Sequence, residues 1–459
     1  MTWRSRLLLA IVLAAAATAF VRLWKTRAPH VALPANAPSV LLVTLDTLRA
    51  DRLGAYGSIG KLTPGLDRLA EEGVVFEQAF CVMPTTLPSH AAMLFGTWPG
   101  VLGTTNNTTR ITNPSIEYLP EILRRAGYRT AAFLSTHHLG SSLERFGGFE
   151  VFDFPPEQRT ADETLALVRR WVQQKSGSGP FFLWVHLWDP HWPYFHHPRF
   201  LPEFPPALND LPEKRHGFLR ADAYTREQAR GMVALYGNEV AFLDFHLAQF
   251  LDEMRELPVW PRLMTIVTSD HGETLDELIQ TEGYGFDHAE YLHDHQIHVP
   301  LIVEPPRGMG TAKSVAEPVS HVDLMPTVLE ALGLPRSQTA VGESLLPLLA
   351  RGGHRKREAL VFFQRRTFRK PPRPVLAKRR FGVRSAEFKL LYDLEDGKTE
   401  LFRSGNESRE IGDEQPQVRD RLRAQLRSWI EASGSATPYR TEPVSEKEVE
   451  KLRALGYVQ

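Results

Sequence analysis

Apolar, β-branched runs at Ser39–Leu45, Thr130–Leu134, Phe181–Leu187, Leu263–Thr268 and Val299–Val303 set the strongest limit on what this chain can fold into. They are apolar at nearly every position rather than at every second one. Neither face of such a strand can be left in water, so each must lie inside a sheet covered on both sides. Helix-like segments at Gly65–Glu72, Ile116–Ala126, Ala161–Gln174 and Glu227–Met254 supply the covering layers. The expected fold is therefore α/β, a mostly parallel sheet flanked by helices, with sites at the carboxyl ends of the strands. A Pro- and Arg-rich stretch, Arg351–Arg380, then leads to a strand-like Phe381–Leu394 and a polar helix near Val418–Ala432. These predict a smaller C-terminal α+β subdomain over 351–459, after a main domain over 39–350.

The N-terminus reads as an export signal. Arg4 and Arg6 precede the apolar run Leu7–Val21, too short for a comfortable membrane span, and Ala17-Thr18-Ala19 offers a small-x-small cleavage site. Residues 1–25 are expected to be a signal peptide or an uncleaved anchor and 26–38 a linker. The protein would then be periplasmic or extracellular, touching membrane only through that segment. Lys plus Arg and Asp plus Glu both number 54, and no basic stripe is visible, so no nucleic-acid partner is expected. A single cysteine, Cys81, excludes an internal disulfide and a Cys-based zinc site.

Chemistry concentrates where strands end. Asp46 follows the first run, and Asp270-His271 follows the fourth. Two carboxylates and an imidazole converging above a sheet edge suit one divalent cation, Ca²⁺ first and Mg²⁺ or Mn²⁺ as rivals. Taken singly, each Asp could equally be a helix N-cap. Thr86 stands two residues before Pro88, in a segment that Gly96 ends as a helix. It could receive an oxyanion there or merely cap the helix. His191 lies between Pro190 and Pro193 after the third run, His288 ends Gly285-Phe286-Asp287-His288, and Thr136-His137-His138 follows the second run. All but His30, His321 and His354 of the 17 histidines fall between His90 and His298, a distribution suited to anions and protons.

In these residues the sequence resembles the sulfatase family of the alkaline phosphatase superfamily. Val43-Thr44-Leu45-Asp46-Thr47, Thr268-Ser269-Asp270-His271-Gly272-Glu273, Asp189-Pro190-His191, His298-Val299-Pro300 and His321-Val322-Asp323 occur in the family's order. So does the tail Leu452–Val458. The resemblance implies that Asp46, Asp270 and His271 hold the metal, with Thr86 at the nucleophile position facing it. It implies that His191 contacts the substrate anion and can protonate the leaving group, and that His288 stands where the family has a substrate-binding Lys or His. His138 matches a histidine that assists the nucleophile, and Thr136 replaces a substrate-binding lysine. His90, counted with the catalytic residues, replaces the arginine that closes the family's nucleophile motif. Thr47 takes the place of a second metal-binding aspartate.

The departure at Thr86 changes the chemistry. The family oxidises Cys or Ser here to formylglycine, but a secondary alcohol cannot give that aldehyde, so no formylglycine is expected. A phosphothreonine can be hydrolysed by water, whereas a threonine sulfate cannot collapse as a hydrated aldehyde does. The expectation is a metal-dependent hydrolase of sulfate or phosphate esters. Two rivals stand beside it: a phospho-group transferase acting on an envelope acceptor, and a non-catalytic sulfatase-like binding protein. The sequence leaves the oligomeric state open.

Overall fold

All seven residues of Ser39–Leu45 are buried, as are all seven of Phe181–Leu187. A computed structural model describes residues 33, 37–175, 177, 179–209, 224–310, 312–355, 358–367, 374–437 and 440–454. The expected leader and linker lie outside the described residues, apart from Leu33, Ala37 and Pro38. Among the described residues no helix is long and apolar enough to cross a membrane.

The main sheet has eight strands: β1 (Ser39–Leu45), β2 (Val74–Phe76), β3 (Arg129–Leu134), β4 (Val151–Asp153), β5 (Phe181–Leu187), β6 (Leu263–Ser269), β7 (Leu301–Glu304) and β8 (Ser314–Val315). They lie in the order β8-β2-β7-β6-β1-β5-β3-β4. β1 sits at the centre, parallel to β5 on one side and β6 on the other. Side chains alternate between faces with the two-residue strand period. Val40, Leu42, Phe182, Trp184, Met264 and Ile266 feed one core, and Leu41, Val43, Leu183, Val185 and Val267 feed the other.

The helices α1 (Pro64–Glu72), α2 (Thr86–Phe95), α3 (His137–Leu143), α4 (Ala161–Lys175) and α5 (Arg226–Arg255) dress the sheet. α5 runs 30 residues and opens on a reciprocal cap: Gln228 N–H donates to Thr225 Oγ1 at 3.1 Å, and Thr225 N–H donates to Gln228 Oε1 at 2.9 Å. It packs on both α1 and α4.

The run at Val299–Val303 is not the single parallel strand its composition suggests. It breaks at Pro300: His298–Val299 joins a small sheet with Ala79–Phe80 and Val319–Ser320, and β7 continues antiparallel to β6. Proline has no N–H to give a ladder. Pro300 O is taken by the Thr268 hydroxyl at 2.8 Å instead.

The C-terminal portion is α+β. Strands Val361–Gln364, Arg380–Arg384, Phe388–Asp393 and Thr399–Arg403 form an antiparallel meander. Helix Pro416–Ala432 buries Leu422, Leu426, Trp429 and Ile430 against it. Charge ties this layer to the main body: Arg384 Nη1 contacts both Asp294 oxygens at 2.7 Å, and the buried Lys389 ammonium reaches Asp294 at 2.9 Å. The chain then returns to the main body, where Glu442–Pro443 pairs with Thr109–Arg110 and helix Glu446–Ala454 follows.

Candidate active site

The carboxyl ends of β1 and β6 deliver Asp46 and Asp270 to one point. Asp46 N–H extends the ladder to Leu187 O, and Asp270 N–H bonds Leu45 O. The chain turns sharply at Thr47, whose φ is 59°. A left-handed β-branched residue costs on the order of 1 kcal/mol or more. It is held there by Asp270 Oδ1, which accepts Thr47 N–H at 3.2 Å, and by Tyr236 of α5, which donates to Thr47 O at 2.9 Å. Phe286 (φ 53°) and Ala289 (φ 75°) bracket His288 in the same way.

Asp46, Asp270 and His271 are fully buried, with ligand atoms all within 4.8 Å of one another. Asp270 Oδ1 accepts two backbone N–H groups, from Thr47 and from His271, while its Oδ2 has no hydrogen-bond partner. Neither oxygen of Asp46 has one, nor does Thr47 Oγ1. Unpaired buried carboxylate oxygens cost several kcal/mol each unless a cation meets them. Burial, then the nearby Glu273, pushes the Asp46 carboxyl up; burial, then Asp46, does the same to Asp270. His271 Nδ1 bonds Gly272 O at 2.9 Å, so with its proton on Nδ1 the Nε2 lone pair faces the carboxylates, as a metal ligand requires. Gly272 cannot be replaced without moving backbone, because a Cβ would fall 2.1 Å from His295 O. These donors fit a divalent cation.

Thr86 opens α2, with Thr85 as its cap residue. The sequence pattern predicts Thr86 just outside the helix; its backbone is instead already helical. Its hydroxyl lies 3.4 Å from His271 Nε2. Ser89, one turn on, fixes this end of the helix by donating to Asp270 O at 2.6 Å and meeting His321 Nδ1 at 3.0 Å. His90 points under the site: Nδ1 contacts Thr86 O at 2.8 Å and Nε2 contacts Thr44 Oγ1 at 3.1 Å. Both ring nitrogens are thus engaged within the protein, and burial holds the ring well below the usual histidine range.

The rings of His191, His288 and His271 cluster, the first pair edge-on and the second tilted. The His271 and His288 rings are 4.3 Å apart, and those of His191 and His288 5.3 Å. Burial, then His288, pulls both His191 and His271 down; burial, then Arg366, pulls His288 down to about 3. Thr136 precedes α3 and is buried, and His138 lies in that helix's first turn, pulled down to about 3 by burial and then by His137. Cys81 is buried, its Sγ 3.7 Å from Gln296 O.

Two contributors are given no role by the sequence motifs. Glu273 Oε1 lies 3.3 Å from His288 Nδ1, and Tyr194 OH reaches Glu273 Oε2 at 3.4 Å, so Glu273 fixes the His288 ring. Its place next to Gly272 at a strand end is the available signal. His186, inside β5, has Nε2 3.4 Å from Asp46 Oδ2 and no hydrogen bond at either ring nitrogen. Its one signal is a polar residue within an otherwise apolar run.

A second trio, Asp189, His197 and Glu239, brings its ligand atoms equally close. Here three of the four carboxylate oxygens are engaged. Asp189 Oδ2 accepts Ala161 N–H at 2.7 Å, Glu239 Oε1 accepts Phe195 N–H, and Glu239 Oε2 lies 3.3 Å from His197 Nε2. The remaining oxygen, Asp189 Oδ1, has no hydrogen-bond partner, and the Asp189 and Glu239 carboxyls lie close enough to interact. Burial pushes Asp189 well up and Glu239 to about 8.

Comparison with known proteins identifies the family and the fold. Residues 38–334 match the family model described as Sulfatase, and residues 282–432 match that of the N-sulphoglucosamine sulphohydrolase C-terminal region. Arylsulfatase K of Bos taurus is 25% identical over an alignment of 370 residues that covers 68% of this chain and 66% of that protein's length. A 2-O GAG sulfatase superposes with a TM-score of 0.69 at 19% identity, over 90% of this chain and 96% of its own. A phosphonate monoester hydrolase from Silicibacter pomeroyi gives the same score and identity, over 86% and 96%.

Proposed function

We propose that this chain, which belongs to the sulfatase family, is a metal-dependent hydrolase of sulfate or phosphate esters that uses unmodified Thr86 as nucleophile, with phosphate esters the better-suited class. The observation that carries this is the Thr86 hydroxyl, 3.4 Å from His271 Nε2, beside carboxylate oxygens that have no other partner.

Asp46, Asp270 and His271 would hold the ion, with Thr86 facing it; Ca²⁺ is the first choice and Mg²⁺ or Mn²⁺ the rivals. Bound there, a divalent cation supplies charge that polarises the ester anion and makes the Thr86 hydroxyl more acidic. Thr86 Oγ1 then forms a bond to phosphorus as the bond to the alcohol oxygen breaks. The hydroxyl proton passes to His138, and the departing oxygen takes a proton from His191 or His288. Burial disfavours the charged form of both imidazoles, helped by His288 at His191 and by Arg366 at His288, and an arriving dianion opposes that, since opposite charge nearby favours the protonated ring. Thr136 lines the substrate side. His90 supports the nucleophile through Thr86 O. Water attack on phosphorus releases phosphate and restores Thr86. A sulfated threonine has no aldehyde route of release, which sets the order of preference. The phosphonate monoester hydrolase among the structural neighbours is consistent with phosphorus chemistry on this fold.

Thr86→Ala tests the reading. It should lower kcat by on the order of 10³-fold or more while metal content stays stoichiometric, and Thr86→Ser should recover part of the loss. Wild-type turnover in Thr86→Ala would replace covalent catalysis with direct water attack. Peptide mass spectrometry across Cys81–Met93 checks that Thr86 is unmodified. If the wild type turns over no sulfate or phosphate ester, the chain is a non-catalytic member. Export is tested by fractionation, with the protein expected outside the cytosol.

A further inference from the structure

Balanced overall charge hides a local cationic cavity. Arg110, Arg145, Lys451 and His137 line a cavity of about 100 Å³ together with Ser141, Ser142 and His138, against a single carboxylate, Glu448. Arg110 is paired with Glu448 at 2.8 Å. Arg145 and Lys451 make no ion pair among the described residues. The Arg145 guanidinium lies 4.9 Å from the Phe146 ring centroid; burial and then the Arg110 charge disfavour its protonated form, and Glu442 favours it. Like charges gathered with too few anions create a field that an incoming anion relieves.

The cavity shares two walls with the proposed catalytic centre. His138, in the first turn of α3, lies close enough to His90 for their charges to interact. Leu452 packs on the buried Trp188, whose ring is 4.0 Å from that of His191. The cavity has room for an oxyanion group. Arginine, lysine and serine donors are the chemistry that recognises such a group.

We propose that this cavity is a subsite for a second anionic group, a sulfate, phosphate or carboxylate, on a substrate whose scissile ester sits at Thr86. The inference rests on the ester-hydrolase reading and narrows it to substrates carrying at least two anionic groups.

Two measurements test it. Crystals of wild type soaked in sodium selenate should show anomalous density in the cavity, and crystals of the Arg145→Ser, Lys451→Ser double variant should not. Both side chains are exposed and without an ion pair, so the variant should fold. In parallel, the ratio of kcat/KM for glucose 1,6-bisphosphate over glucose 6-phosphate should fall about tenfold in the double variant. No selenate in the wild-type cavity, or selenate retained in the variant, overturns the proposal. Selenate lost with an unchanged ratio shows a free-anion site and overturns the substrate assignment. The selenate arm needs no turnover, so an enzyme inactive on every ester fails the hydrolase reading separately.

Discussion

Two buried clusters in this molecule each bring two carboxylates and an imidazole within bonding range of a common point. In one, Asp46, Asp270 and His271 leave three carboxylate oxygens without a partner. In the other, Asp189 and Glu239 receive backbone N–H groups from Ala161 and Phe195, contact each other, and abut His197. Proximity is the same, and satisfaction of the lone pairs is not. The first leaves three oxygens open to a cation; the second leaves only Asp189 Oδ1. That second pair anchors both ends of the segment Asp189–Phe195 that carries His191, so it positions a proposed catalytic group without meeting substrate.

The widest separation between the clusters should appear in metal content. Asp270→Asn combined with His271→Ala should abolish stoichiometric metal by elemental analysis and reduce turnover by on the order of 10³-fold or more. Asp189→Asn combined with Glu239→Gln should retain a full equivalent. Full occupancy in the first variant, or loss in the second, reverses the assignment.

Chelation should come next. Asp46 and Asp270 are raised above their unfolded values in the ion-free fold, so the folded state binds more protons and stability falls as pH rises above the ordinary carboxylate range. Adding the ion should remove that slope and add about 4 kcal/mol at a thousandfold excess over its Kd. Thermal melts with and without chelator across pH 5 to about 9 measure both.

Glu239→Gln should have a smaller, metal-independent effect. The folded-state pKa of Glu239, about 8, lies above the 4.5 of an ordinary glutamate, so its contribution is complete below the unfolded value and is lost as pH rises through about 8. Each tenfold gain in proton affinity on folding is worth about 1.4 kcal/mol, and the amide, which does not titrate, should remove that alkaline fall in stability. An unchanged alkaline slope in urea unfolding would mean that the pair is not protonated. Smallest is His197→Ala. This half-buried ring stacks on Phe242 at 3.8 Å and touches Glu239, and its removal should cost about 1 kcal/mol with metal content intact.

The contrast also marks what a sequence can disclose. Asp46 and Asp270 are readable because each ends a continuous apolar run, and a parallel sheet sends all such ends to one edge. Thr86 is placed by Pro88 and Gly96, two local signals. The strand order is not readable, nor is the reversal of β7, because Pro300 breaks a run that looks uniform. Glu239 sits mid-way along a 30-residue helix, and nothing local distinguishes it from a solvated glutamate. Its partner Asp189 reads as part of the His191 motif. The cationic cavity draws on Arg110, Arg145 and Lys451, which share no local pattern and vanish in a charge count of zero.

Glu442–Pro443 closes a strand pair with Thr109–Arg110, and Leu452 seals against Trp188. Ribosomal synthesis runs from the amino end, so Lys451 and Leu452 emerge after everything they pack on. The sheet and its carboxylates can assemble while the chain is still being made, but the wall beside His191 cannot be completed until the last turn of helix is free. A bulky group fused close behind Ala454 would delay or prevent that completion even in a molecule whose sheet is otherwise intact.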